Sequence, residues 1–474
     1  MTDLFSKEEA ALAKETYSKQ LRAYERRGVV AAMDFWNAFP AYKNRDRFTH
    51  MIHSYPAKLL ASIPAFFIAI FCSRKCTILD PFCGSGTVLL EGALQGCRTY
   101  GAEINPIARM ISQIKMTPID PSILQERLVR ILAQVRKGGR PRPEVPEGLD
   151  FWFTEEVITQ LASLRQQLKS YRPSTDDNEI LLRNFFWVCF SSLIRRKSLA
   201  DPRVSPPVRL KPEKFSNNPA RHQHTLRLVE QKRRADVFDV FETVCKENIE
   251  RTRHLFDYFQ NSDLASSGRI IWDDARAIRK SSVLERGVIN HSAVTKFPSS
   301  SVDLVLTSPP YIDAQKYTRS LSLEMYWLEH WRGREDRAIY DQRVLGNGRV
   351  STKGMLLNGN APPILRKELL RIADSDRKRA AIVEAFFEGM LSVIKECHRV
   401  LKIGGHMILI VGNNKIFGKE IPTHRIMMRL LSQVGFTREL VIYDDIKTWG
   451  LMRERNSTAD IITREWILIF RREP

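Results

Sequence analysis

Cysteine is sparse in these 474 residues: seven, at positions 72, 76, 83, 97, 189, 245 and 397. Cys72 and Cys76 make a single C-x3-C with no second pair, which argues against a zinc site and fits a chain kept reduced in the cytoplasm. Long apolar runs are equally scarce. The longest, Leu59–Cys72, has 14 residues and contains a proline, so it reads as a buried helix too short to span a bilayer. The opening MTDLFSKEEAALAKE mixes charges of both signs and lacks the apolar stretch of a signal peptide. Acidic residues are in deficit, 54 against 74 Lys and Arg, for a net charge of +20. That balance implies a polyanionic partner, and without an anchor nucleic acid fits better than a membrane. Also missing are the phosphate loop G-x-x-x-x-G-K-[ST] and a full G-x-G-x-x-G, which turns the search away from nucleoside triphosphates and ordinary dinucleotides.

What is present begins with length. At 474 residues and 43% hydrophobic content, the chain has room for one large catalytic domain and a sizeable insertion. Residues 4–36 carry amphipathic helical spacing within an N-terminal helical extension, 1–49. From position 50 to 116 the texture becomes that of an α/β domain. Thr77–Asp80 reads as a strand end, Cys83–Gly86 as a tight turn, Thr87–Gln95 as a helix stopped by Gly96, and Thr99–Ile104 as the next strand. Gly84 and Gly86 would let the backbone approach a ligand, and the free N–H groups of the following helix favour a carboxylate. Glu103 closes the second strand about twenty positions on, where such units hold ribose hydroxyls. A ligand with a ribose and a carboxylate but no phosphate fits S-adenosylmethionine.

A second constellation lies at Ser301–Tyr311, SVDLVLTSPPY, where an apolar strand stops at two prolines that forbid a continuing central strand. The turn would present the Ser308 hydroxyl, the Pro309 carbonyl and the Tyr311 ring, a set suited to hold a planar exocyclic amine with its lone pair aimed at an electrophile.

DPFCGSGT resembles the cofactor loop of the amino-methyltransferases, and TSPPY resembles their catalytic loop. HSYPAKL and GAEINPIARMISQIK are similar to the flanking segments of the DNA methyltransferases of the cytosine-N4 and adenine-N6 group. The resemblance covers about half the chain, residues 50–116, 266–330 and 380–472. It implies a seven-stranded Rossmann-like methyltransferase sheet with its last strand antiparallel. It also implies a cofactor site at Asp80, Pro81, Phe82, Gly84, Gly86, Thr87 and Glu103, with Asp274 on the adenine. Ser308, Pro309, Pro310 and Tyr311 become the target-base pocket. No metal is needed, and the base must be extruded, because its amino group is paired inside the duplex. Serine at 308 resembles the cytosine-N4 enzymes more than the adenine-N6 ones. Competing readings are an adenine-N6 enzyme, a guanine-N2 RNA methyltransferase, whose loop is usually N-P-P-Y-G, and a catalytically silent DNA-binding subunit. The recognised DNA site, the oligomeric state and the presence of a restriction or defence partner stay open.

Residues 117–265 form a largely helical insertion, expected to have a small core of its own. From Arg183 to Arg234 there are thirteen Lys and Arg against three Asp and Glu, half the chain's net charge. This makes Arg195, Arg196, Lys197, Arg203, Arg209 and Lys211 the candidates for contacts with duplex DNA phosphates. Residues 266–474 complete the catalytic domain, and within them 332–365 is long and polar enough to act as a flap over the site.

Overall fold

The computed structural model describes residues 7–474 except 40–41, 43–46, 57, 139–147, 172–175, 205, 235, 281–287, 289–294, 313–316, 347–360 and 447–461. Residues 347–360 of the expected flap therefore lie outside the described residues. Among the described residues eight strands form the main sheet: β1 (Ala31–Ala32), β2 (Thr77–Asp80), β3 (Arg98–Ala102), β4 (Arg269–Trp272), β5 (Val302–Thr307), β6 (Leu401–Gly412), β7 (Phe436–Asp445) and β8 (Arg464–Arg472). Their order is β1-β7-β8-β6-β5-β2-β3-β4. Of these, β8 pairs antiparallel with both of its neighbours. The expected count of seven is exceeded by one. Ala31 and Ala32 lie parallel to Ile442 and Tyr443 at the edge, a two-residue strand too short for any alternation to announce.

Both faces of the sheet are covered, as a parallel sheet requires. The period of two sorts the strands: Leu304 and Leu306 face one side with Ile408 and Ile410, whereas Val305 faces the other with Met407 and Leu409; an irregularity between Val302 and Leu304 turns Val302 to that second side as well. On the first side lie helices α1 (Lys7–Arg27) and α2 (Ser62–Phe71). α2 is apolar all round, and its Phe66 and Phe67 are fully buried. The helices contributing to the second side come from later in the chain.

Helix α3 (Thr87–Leu94) joins β2 to β3. Between β3 and β4 the chain runs through α4 (Pro106–Met116), α5 (Pro121–Lys137), α6 (Glu155–Ser170), α7 (Asp177–Lys197), α8 (Pro219–Arg234) and α9 (Val237–Gln260). Asn105, Asp120, Thr154, Asp176 and Asp236 cap five of these helices through their side-chain oxygens. The helical insertion does not keep a core to itself. Phe185, Phe190, Leu193, Phe241 and Ile249 bury in one cluster with Ile107 and Ile111 of α4, with Ile52, and with Trp327 and Trp331 downstream of TSPPY. The insertion is thus packed on the elements that flank the site.

Candidate active site

The parallel strands of the sheet end at one edge, where ligands of open α/β sheets bind. At the end of β2, Asp80 is 3% exposed, and its Oδ1 accepts from the Phe82 N–H (3.0 Å), which fixes the turn. Gly84 and Gly86 have φ of +50° and +79°. A Cβ at Gly84 would meet only the Tyr55 ring at 3.8 Å, so this backbone is open to a ligand. At Gly86 it would strike Ser112 Oγ at 2.2 Å. Gly86 is therefore required for packing of the loop against α4. Glu103 lies across the loop. Its Oε2 accepts from the Gly84 N–H (2.9 Å) and its Oε1 from the Asn105 N–H (2.8 Å), while burial pushes its carboxyl above the ordinary range.

The second motif is tied to the first by one bond. Thr307, the last residue of β5 and wholly buried, donates through Oγ1 to Asp80 Oδ1 at 2.6 Å. Burial raises the Asp80 carboxyl to about 7 against the opposing pull of these two hydrogen bonds. The bond holds the two strand ends together, so that Ser308 and Pro310 share a cavity of about 120 Å³ with Pro81, Phe82, Gly84, Glu103 and Asp274. Ser308 also walls a cavity of about 50 Å³ with Asp80, Gly84 and Thr87. A third cavity, about 510 Å³, is reached past Tyr55, which lines all three. Pro309 is buried in the turn. Tyr311 Oη donates to Glu465 Oε1 at 2.6 Å.

Several lining residues were not singled out in the sequence. Tyr55 and Lys58 lie within HSYPAKL, and Lys58 Nζ closes that segment by donating to the carbonyls of His50 (3.0 Å) and His53 (2.5 Å). His50 Nε2 stands 2.7 Å from Glu91 of α3, which also accepts from Tyr42 Oη, so this buried network seats the segment against the cofactor loop. Helix α10 (Arg334–Arg343) lies within the expected flap, 332–365, though it belongs to no motif. Tyr340, Arg343, Val344 and Leu345 close the 120 Å³ cavity, with Arg343 donating to Asp273 Oδ2 at 2.8 Å. Asp274, the expected adenine contact, lines the same cavity, but both its oxygens accept from Arg276. Against the upward pull of burial, those bonds hold its carboxyl below the usual range.

The basic cluster divides. Lys197 is 2% exposed and donates to the Lys232 carbonyl at 2.6 Å. Arg195 is turned inward onto the carbonyls of Asp201 and Val204. Lys197 is thereby kept from solvent, while Arg195 stays half-buried. The helix-end spacing of Arg195, Arg196 and Lys197 necessarily sends neighbouring side chains in different directions. Arg196 is exposed and pairs with Glu247, Arg203 is exposed beside Asp201, Arg209 lies half-buried over the Phe151 ring at 4.6 Å, and Lys211 is exposed.

Residues 302–473 match the family model described as DNA methylase, and residues 55–126 match the one described as RMKL-like, methyltransferase domain. The two matches fall on the segments that hold TSPPY and DPFCGSGT, and both models describe methyltransferases of the kind that act on DNA or resemble them in fold. The methyl donor of that chemistry is S-adenosylmethionine. The chain is 27% identical over 438 residues to the Type II methyltransferase M.MvaI of Kocuria varians, covering 88% of each protein. It is 23% identical over 389 residues to the Type II methyltransferase M.AvaI of Nostoc sp. strain PCC 7120, covering 77% of this chain and 74% of the relative. Among solved structures, a chain of Thermus thermophilus described as a putative DNA modification methylase, complexed with S-adenosyl-L-methionine, is 21% identical. The match covers 38% of this chain and 50% of that one at a TM-score of 0.20. Among the described residues no helix is long and apolar enough to cross a membrane, and no cluster of His, Cys, Asp and Glu could hold a metal.

Proposed function

We propose that this chain transfers a methyl group from S-adenosylmethionine to the exocyclic amino group of a base extruded from duplex DNA, with cytosine N4 as the acceptor. The observation that carries the reading is the shared wall: Ser308 lines the same cavity as Gly84 and Glu103. An amine held by one loop would face a methyl donor held by the other.

The residues fit that donor in kind. Gly84 offers open backbone, Glu103 and Asp273 are acids at consecutive strand ends, and Phe82, Ile104 and Ala275 add apolar surface. The volume of about 120 Å³ is below the roughly 300 Å³ at which small-molecule sites begin, so Arg343, Val344 and Leu345 must yield to admit it. Bound there, S-adenosylmethionine supplies a methyl group activated on a positively charged sulfur. The chain's own work is orientation. Ser308 Oγ and the Pro309 carbonyl accept the two amine N–H bonds, and Tyr311 gives the base a face to stack on, so that the nitrogen lone pair points toward the cavity that Ser308 shares with Gly84 and Glu103.

Two relatives are Type II methyltransferases, which supports a site-specific enzyme accompanied by a restriction partner. The exposed Arg196, Arg203 and Lys211, with the half-buried Arg209, supply the phosphate contacts in this reading, because affinity for duplex DNA depends on charge neutralisation. The test is nucleoside analysis of duplex DNA incubated with the protein and S-adenosylmethionine. N4-methylcytosine is the expected product. N6-methyladenine would overturn the choice of base, and methylation of tRNA without methylation of duplex DNA would overturn the DNA reading.

A further inference from the structure

We infer that Glu465 is the positioning residue for Tyr311, a role that rests on reading TSPPY as the target-base loop. Among the described residues β8 is the one strand of the main sheet that runs antiparallel to the others. Its direction brings its first residues, rather than its last, to the edge where β2, β3 and β5 end. Glu465 accordingly pairs with Gly412, the last residue of β6, on one side and with Asp444 on the other. A residue 154 positions beyond the motif is thereby delivered to it, and the Tyr311 hydroxyl donates to its Oε1 at 2.6 Å.

The ring has been given a path to that carboxylate. A Cβ at Gly412 would lie 3.4 Å from Tyr311 Cε1 and 2.6 Å from Ile462 Cγ2, so a side chain at 412 would wedge between the ring and the chain leading into β8. A tyrosine ring turns about two torsions, and a stacking surface is useful only when its plane is held. Anchoring the hydroxyl, which lies on the long axis of the ring, fixes the direction of that axis before a base arrives. Glu465 also lines the 510 Å³ cavity together with Tyr55 and Lys58. One side chain therefore reaches both the stacking ring and the space open to an extruded nucleotide. Burial raises the Glu465 carboxyl above its ordinary range, and the bond from Tyr311 opposes that shift.

The experiment uses the full chain, duplex DNA and S-adenosylmethionine, with Glu465→Ala, Glu465→Gln, Tyr311→Phe and the double variant Glu465→Ala/Tyr311→Phe. Removal of a hydrogen bond to a charged group predicts a fall in kcat on the order of tenfold to a hundredfold for Glu465→Ala and for Tyr311→Phe. The double variant should be no slower than the worse single one, because both remove the same bond. Glu465→Gln keeps an acceptor and should recover to within about fivefold of the unaltered protein. Affinity for S-adenosylmethionine, read by calorimetry, should stay within about twofold throughout, since the bond lies outside the cofactor cavity. A Glu465→Ala variant that keeps its kcat, additive losses in the double variant, or a parallel loss of cofactor affinity would each overturn the role. If the unaltered protein binds the cofactor but methylates no duplex DNA, the reading of TSPPY fails first and this role falls with it.

Discussion

Asp80 joins the two motifs, and its ionisation should be measurable in the stability of the whole fold. Its carboxyl is raised from 3.8 to about 7 in the folded chain, with burial the leading cause. Between those two values the unfolded chain is ionised and the folded chain still holds the proton, so unfolding releases a proton and rising pH favours it. The stabilisation is complete below about 3.8, falls by up to about 1.4 kcal/mol per pH unit, and is gone above about 7. Three units of separation amount to about 4 kcal/mol. Asp80→Asn isolates the effect, because an amide oxygen still accepts from Thr307 Oγ1 and from the Phe82 N–H but does not titrate. The assay is urea denaturation of both proteins from about pH 3 to about pH 8, a range that spans both carboxyl values. The stability of the natural chain minus that of Asp80→Asn should decline by several kcal/mol across this range and level off above about pH 7. Thr307→Val removes a bond that favours the ionised form, so the levelling should move to higher pH. A difference that stays flat across the whole range would refute the buried, protonated carboxyl and the coupling drawn from it.

Three further outcomes are expected. Glu103→Ala orphans the Gly84 and Asn105 N–H groups, so it should cost about 1–3 kcal/mol of stability and weaken S-adenosylmethionine binding by at least about tenfold, whereas unchanged calorimetry would remove Glu103 from the site. Arg343→Ala releases the pair to Asp273 that closes the 120 Å³ cavity; stopped-flow measurements should show cofactor association faster by roughly twofold to fivefold, the range for a partly exposed ion pair. Changing Arg196, Arg203, Arg209 and Lys211 together to Ala should reduce the slope of log DNA affinity against log salt by about 0.9 for every phosphate no longer neutralised, and Lys197→Ala should instead lower stability without altering the slope.

Local chemistry made much of this protein readable as a string. The apolar run in SVDLVLT, the glycine turn after Thr77–Asp80 and the prolines at 309 and 310 act within a few residues of themselves, so they announce β2, β5 and the loops at their ends. The antiparallel last strand was legible only through the resemblance to the amino-methyltransferases, because its direction is set by its partners in the sheet. Other features depend on which distant segments meet. Gly86 has a second reason for being small in Ser112, a neighbour 26 positions on that its own segment does not announce. Arg195 and Lys197 counted as surface charge in a tally, but the carbonyls that draw them inward belong to residues brought near by the chain's course around α7 and α8. Tyr340 and Arg343 of α10, in a polar segment with no motif, became walls of the 120 Å³ cavity only through packing. Glu465 is the extreme case. In EWILIFRR it is one polar residue at the head of a strand, and its meeting with Tyr311 was decided by the direction and register of β8 against Gly412, which no residue within reach of it in the sequence specifies.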